Sequence, residues 1–269
     1  MIALADFYAR PLEAILSDPA LGEVFPRLLD ALEAGEVRAA QRGADGAWHA
    51  NPWVKTAILA GFRTSATREI PGWPGPCFDR EAYPPRALGL EDGVRLVPGG
   101  SAVRRGAHVA KGVVIMPPAY VNVGAFVDEG TMVDSHALVG SCAQVGKRVH
   151  LSAGVQVGGV LEPAGALPVV VEDEAFVGGL CGLFEGVVVS RRAVLAPGVL
   201  LTASTRIYDL VNERELTRVV PEGAVVVPGS RPGPGAFALN RRLNLSAPCI
   251  VKYRDARTEA ATALEEALR

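Results

Sequence analysis

The sequence predicts a mainly β protein: a parallel β-helix of six-residue repeats, with a helical N-terminal domain before it and a strand-and-helix appendage after it. Three observations carry that expectation. Every sixth residue from Val109 to Val157 is aliphatic (Val109, Ile115, Val121, Val127, Val133, Val139, Val145, Leu151, Val157), and the ladder resumes at Val171, Val177, Leu183, Val189, Leu195 and Leu201. A fixed period of six fits neither an isolated helix nor an alternating strand and marks a repeat architecture. Four places after each rung stands a small or β-branched residue, as at Val113, Ala119, Ala125, Thr131, Ala137, Ala143, Val149 and Val155. Each hexad then turns two side chains inward, and three hexads close one triangular coil of eighteen residues. Thirty glycines are spread through the chain, and many fall in the hexads, where tight corners need positive φ or close backbone approach.

Taken in order, residues 1–90 read as a helical domain and linker. Ala3–Leu16, Leu21–Leu32 and Trp53–Phe62 carry helical periodicity, the last opened by Asn51 as N-cap and Pro52 at the first helical position. Residues 66–90 hold Pro71, Pro74, Pro76, Pro84 and Pro85 and read as an extended connection. Residues 91–228 are the β-helix of about five coils, interrupted at 158–170 by a segment that should project as a loop. The pattern then decays through Val219–Val227, and residues 229–269 form the C-terminal segment: a bend at Gly229–Gly235, a strand near Cys249–Tyr253, and a helix over Glu259–Leu268 capped by Thr258. An open solenoid end needs a cover, which either terminal segment can supply.

Composition narrows the classes of function. A formal net charge of -2 gives no basic surface for nucleic acid or anionic membrane. No stretch is apolar and long enough for a membrane span, and no basic-plus-apolar leader opens the chain, so a soluble cytoplasmic protein is expected. Cys77, Cys142, Cys181 and Cys249 form no CxxC pair, which points to free thiols, with Cys142 and Cys181 as small buried hydrophobes inside the repeat.

The residues between the rungs carry more specific information. The run Tyr120-Val-Asn-Val-Gly-Ala-Phe-Val-Asp-Glu-Gly-Thr-Met-Val-Asp134, followed by Val139-Gly-Ser-Cys-Ala-Gln-Val-Gly146, Val149-His-Leu-Ser-Ala-Gly154 and Gly158-Gly-Val-Leu-Glu-Pro163, resembles the tetrahydrodipicolinate N-succinyltransferase family of hexapeptide-repeat transferases. Weaker similarity extends to Trp53-Val-Lys55, Ser204-Thr-Arg-Ile-Tyr-Asp209 and Ile250-Val-Lys-Tyr-Arg254. The resemblance implies a left-handed coil, against the right-handed rule for ordinary crossovers. It also implies a homotrimer with sites between subunits, and transfer of succinyl from succinyl-CoA, a co-substrate and not a resident cofactor, to the amine of ring-opened tetrahydrodipicolinate in diaminopimelate and lysine synthesis.

Such a reaction needs a proton acceptor for the attacking amine and cations or amides for a dicarboxylate. By resemblance, Asp134 of the Met-Val-Asp motif is the substrate-binding and catalytic carboxylate, and Arg95 holds a substrate carboxylate. The chain departs from the family at Gly178-Gly-Leu-Cys-Gly182, where Leu180 and Gly182 replace the usual Arg and Glu. Glu185 and His136 are the candidate replacements for the missing acid or base, and His150 matches a family histidine. Asp134 also suits a turn residue bonded to its own backbone. For the CoA arm the candidates are Gly159, Gly178, Ala196 and Thr205, with Arg206, Lys252, Arg241 and Arg242 for its phosphates.

Two other readings stay open at this stage. A related acyltransferase would use acetyl-CoA or another amine, and a non-catalytic scaffold would bind no acyl-CoA. A zinc site of the kind that γ-type carbonic anhydrases build on this coil needs histidines at multiples of eighteen residues or adjacent on an edge; His108, His136 and His150 are spaced otherwise, so no metal is expected.

Overall fold

The computed structural model describes residues 3–71 and 75–255; the expected helix over Glu259–Leu268 lies outside them. The segment expected as one helix over Ala3–Leu16 is two, α1 (Leu4–Tyr8) and α2 (Leu12–Leu16), separated at Pro11, which lacks the amide a continuous helix would use. α3 (Leu21–Ala34) ends on Gly35 at φ 78, the left-handed stop that glycine takes without strain. α4 (Pro52–Thr64) starts at Pro52, but the Asn51 side chain does not cap it; its amide instead donates to Arg38 O at 2.7 Å.

Two antiparallel hairpins are added to the helices, Ala40–Arg42 with Trp48–Ala50 between α3 and α4, and Thr67–Ile70 with Cys77–Arg80 after α4. The second falls in the stretch expected to be merely extended: Pro71 and Pro76 flank its strands instead of replacing them. Phe7, Tyr8, Leu28, Ile58 and Tyr83 form the domain's own core, which also takes in Val123 and Cys142 from the β-helix.

The hexads fold as expected into a triangular prism. Face I runs from His108–Val109 through Phe126–Val127, Gln144–Val145, Val170–Val171 and Val188–Val189 to Val219–Val220. Face II begins at Arg95–Leu96 and passes through Val114–Ile115, Met132–Val133, His150–Leu151, Phe176–Val177 and Val194–Leu195 to Ala224–Val227. Face III stacks Ala102–Val103, Tyr120–Val121, Leu138–Val139, Gln156–Val157, Gly182–Leu183 and Leu200–Leu201. All these pairings are parallel with partners eighteen residues apart, except at the first strand of face II, where Arg95 pairs with Val114 nineteen residues on, and across two insertions. Gln144 pairs with Val170, eight residues later than the coil requires, and Val188 pairs with Val219, thirteen later. The second insertion holds an antiparallel hairpin, Arg206–Asp209 with Arg214–Thr217, so the pattern that decays after Leu201 is a detour, and the coils continue to about six.

Rungs and small positions alike are buried in one core from Val103 to Val226. Thr131, a polar member of that column, keeps both hydroxyl roles satisfied: Oγ1 donates to Gly146 O at 2.7 Å and accepts from Val149 N at 3.0 Å. Corners turn three places after the rung through residues at positive φ, such as Gly124, Gly130, His136, Cys142, Arg148, Gly154, Leu180, Arg192 and Gly198. At the far end Cys249–Tyr253 lies antiparallel to Ala224–Val227 and covers the last strand of face II.

Candidate active site

Asp134 stands first after the rung Val133, where the chain turns from face II to face III. Its Oδ1 accepts the Ser135 amide at 2.7 Å, the local turn bond open to any Asp in that place, and among the described residues Oδ2 is left without a partner. The same column holds Ser152, Gly178 and Ala196, one coil apart each. At other corners an Asn or Asp in the first place caps the next amide, as Asn122 does for Val123 and Asp128 for Glu129. Ser152 and Gly178 do not, so the amides of Ala153 and Gly179 have no hydrogen-bond partner among the described residues. One open edge thus presents a carboxylate oxygen and two unspent amide donors in line along the prism axis.

The imidazole that feels Asp134 is that of His150. It lies on face II in the strand next to Met132 and stacks on Phe176 with centroids 5.0 Å apart. Burial pushes its pKa below the ordinary imidazole value, while the Asp134 charge pulls it back up. His136 is placed differently. It occupies the corner itself at φ 62, is exposed, and lines a shallow cleft of about 360 Å³ on face III with Tyr120, Leu138 and Gln156. No hydrogen bond joins its ring to Asp134 among the described residues, so an Asp134-oriented His136 is not what the chain builds. Arg95 opens face II two strands above Met132, exposed.

Glu185 sits on another edge, between faces III and I, and accepts the Ala203 amide at 3.2 Å. It lines a cavity of about 1010 Å³ with Gly159, Thr202 and the loop around Glu162 and Ala166. Thr205 closes the same corner, accepting from Thr202 N at 2.9 Å. Beneath the loop lies Lys55 of α4, fully buried. Its Nζ donates to Ala166 O, and burial lowers its pKa.

The candidates for the CoA arm therefore divide between edges. Gly178 shares the Asp134 edge, where a Cβ would stand 2.6 Å from Pro197 N, so coil stacking alone requires a glycine. Ala196 is buried in the core, its amide bonded to Val226 O and its carbonyl to the Cys181 thiol, which leaves it nothing to offer a groove. Arg206 is ion-paired with Glu215 at 3.4 Å on the hairpin, Lys252 lies in the terminal strand opposite Val225, Arg241 stacks on Phe237 at 4.7 Å, and Arg242 follows it at φ 54.

Between the two edges lies face III, which is apolar and open: Leu200 on it is 56% exposed, and the bordering corners add Leu180 at 74% and Phe184 at 37%. Gly182 is buried on this face because Phe184 and Leu200 close over it, within 2.6 and 2.9 Å of where a Cβ would be. Cys142 and Cys181 are free and buried as expected, which pushes the thiol of Cys142 up to about 12 and that of Cys181 up to about 11.

Sequence reasoning missed the amides of Ala153 and Gly179. The available signal was the absence of Asp or Asn just before them, at Ser152 and Gly178.

Comparison with known proteins agrees with this architecture. The family model described as tetrahydrodipicolinate N-succinyltransferase N-terminal matches residues 12–64, from α2 to the end of α4. The 2,3,4,5-tetrahydropyridine-2,6-dicarboxylate N-succinyltransferase of Bradyrhizobium diazoefficiens is 47% identical over 255 residues, covering 92% of this chain and 89% of that protein. The protein of the same name from Rhodopseudomonas palustris strain BisA53 is 44% identical over 271 residues, covering 98% and 96%. Among solved structures, a putative 2,3,4,5-tetrahydropyridine-2-carboxylate N-succinyltransferase from Campylobacter jejuni superposes with a TM-score of 0.57 at 14% identity, over 92% of this chain and 64% of that one, less than two thirds of its length. That likeness shows the fold, a left-handed hexapeptide β-helix.

Proposed function

Because this chain belongs to the tetrahydropyridine-2,6-dicarboxylate N-succinyltransferase family, the CoA-dependent acyltransferases of diaminopimelate and lysine synthesis, we propose that its reaction runs along the edge between faces II and III and is completed by a second copy of the chain. The donor is succinyl-CoA and the acceptor the amine of ring-opened tetrahydrodipicolinate. The observation that carries this placement is the alignment of Asp134 with the free amides of Ala153 and Gly179 on an edge from which no inserted segment emerges.

The chemistry follows from those groups. An amine attacks a thioester only through its lone pair, so an acceptor must take the proton as the C–N bond forms. Asp134 Oδ2 is free for that role, with Oδ1 held by its own turn. His150, kept neutral near pH 7 by burial, places no competing cation beside the carboxylate. The two amides suit the carbonyl oxygens of the acyl-pantetheine arm, and an amide aimed at the thioester oxygen stabilises the charge that gathers there. The tetrahedral intermediate then breaks its C–S bond, and the departing thiolate takes up a proton. Arg95 is assigned to a carboxylate of the acceptor.

One chain does not bring Glu185 and Gly159 to Asp134, because they lie on different edges. Face III joins those edges and exposes the apolar side chains that a closed interface would cover. A cyclic homotrimer would set one copy's Asp134 edge against the next copy's Glu185 edge, giving Glu185 and the cavity beneath it to the neighbour's CoA. Acyl-CoA supply makes the cytoplasm the fitting compartment; among the described residues no helix is long and apolar enough to cross a membrane.

Steady-state assays with succinyl-CoA against acetyl-CoA, using tetrahydrodipicolinate and L-2-aminopimelate, test the assignment. Preference for succinyl-CoA with turnover of either acceptor is expected; turnover of neither overturns it. Light scattering on the purified protein should give three chains, and a monomer active at assay concentration would refute the shared site.

A further inference from the structure

On the opposite side of the prism from the Asp134 edge, the hairpin Ala40–Arg42/Trp48–Ala50 closes over face I and leaves a cavity of about 290 Å³, at the small end of the range for ligand pockets. Its lining is unusually charged for a contact between two domains. Two of its cations are neutralised within the protein: Arg42 pairs with Glu172 and Arg191 with Glu222. Glu172 is fully occupied, Oε1 also accepting from Trp48 Nε1 at 2.7 Å and Oε2 from Arg191 N at 3.0 Å.

Arg38 is the exception. Its guanidinium lies 3.7 Å from the Phe126 ring centroid and 5.6 Å from that of Trp48, and Nε donates to Gln144 Oε1 at 2.9 Å. Stacked and anchored, it is held in one pose, yet among the described residues its two terminal nitrogens donate to nothing. Facing the same space are Asp128 and Asp173. Each spends Oδ1 on a backbone amide, of Glu129 and of Lys147, both at 2.8 Å, and neither Oδ2 has a partner among the described residues. After the internal pairs cancel, one fixed guanidinium and two half-free carboxylates remain around a partly open cavity.

We propose that this cavity is a second ligand site, for a small α-amino acid bearing an additional amine. Its carboxylate would take the fork of Arg38, a geometry that a planar guanidinium favours, and its two ammonium groups would take Asp128 and Asp173. The leftover lining charge of minus one matches a ligand of net charge plus one, and Trp48, Val170 and Val171 in the lining suit a short methylene chain. The site is separate from the succinyl-transfer edge and stands whether or not that assignment holds.

Calorimetry on the full-length protein, titrated with L-lysine and L-ornithine and in parallel with L-glutamate, tests it. Saturable binding of a diamino acid at one per chain is expected, weakened at least about tenfold by Arg38→Met. Asp128→Asn provides a second variant should Arg38→Met fail to fold, with loss in the same direction. Asp134→Asn should bind the diamino acid unchanged, and Arg38→Met should keep its succinyl transfer. No heat with any of the three probes up to about 10 mM, equal affinity for L-glutamate, or loss of binding in Asp134→Asn would each overturn the proposal; the last would mean that the probe enters the acceptor site instead.

Discussion

Along the edge between faces II and III the chain turns at Asp134, Ser152, Gly178 and Ala196 without one extra residue, whereas both interruptions of the ladder leave from the edge between faces III and I. The loop after Val157 and the hairpin after Leu201 emerge there, and α4 packs on its upper corners through Val123 and Cys142. The same hexad therefore makes a bare edge and a roofed one. In a solenoid each coil needs only its inward residues and its neighbours, so insertions can gather at one corner without disturbing the stack. The bare edge keeps its backbone regular at these corners and sets the Asp134 carboxylate in line with two unspent amides, which suits the fixing of reacting groups. Its roofed counterpart supplies volume and cover.

The sharpest way to break this comparison is Asp134→Asn. Asparagine retains an Oδ1 able to accept the Ser135 amide, so the corner and the melting temperature should stay as they are. What it lacks is a proton acceptor, and kcat/KM for succinyl transfer should fall by about a hundredfold to ten-thousandfold. Near-normal turnover would place the chemistry elsewhere than on the bare edge.

A second variant separates the stack from its edges. Thr131→Val keeps shape but removes the hydroxyl that serves Gly146 O and Val149 N. Leaving those two buried groups unpaired should cost about 1–3 kcal/mol, read as a lower Tm, with kcat unchanged below the transition. A variant as stable as the parent would mean that the inward column tolerates its polar member without needing it.

How much of this was legible beforehand depends on which residues repeat. Val109 through Leu201 declared the prism because burial selects the same side-chain type every six residues. His136 did not declare its corner, since positive φ is tolerated at these sites by Gly, His, Cys, Arg and Leu alike. Glu185 could not be given an edge from the ladder, because eight inserted residues after Val157 break the count of corners. Arg38 and Gln144, 106 residues apart in sequence, meet only once the N-terminal domain has docked, and no local pattern encodes that meeting. Asp134 was legible as a motif, but its free Oδ2 and the amides beside it were not, for they depend on which neighbours fail to make bonds.

The roofed edge is probed by Lys55→Met. The buried Nζ tethers the 158–169 loop at Ala166 O, and methionine fills the space without the donor. The orphaned carbonyl should cost on the order of 1 kcal/mol, and the freed loop should be cut sooner by protease. KM for succinyl-CoA should rise several-fold with kcat little changed. If kcat fell while KM held, the loop would belong to the chemistry and not to its cover.

The smallest effects concern the two imidazoles flanking Asp134, and they decide between them. Burial depresses the His150 pKa, so across the window just below the ordinary imidazole value of about 6.5 the folded chain binds fewer protons than the unfolded one. Stability from this group is complete above that value and is lost as pH falls through it toward the lowered folded pKa. His150→Phe should therefore flatten part of the fall in Tm between neutral and mildly acid pH. It should not remove all of it, because burial depresses His108 in the same direction. The acid limb of kcat/KM should move as well, since a protonated His150 would put a cation beside the Asp134 carboxylate. His136, exposed on its corner and without a bond to Asp134, should behave otherwise: His136→Phe should leave both pH profiles in place and turnover within roughly twofold. A shifted acid limb in His136→Phe, with none in His150→Phe, would reverse the assignment and require that the neighbouring subunit turn His136 toward the bare edge.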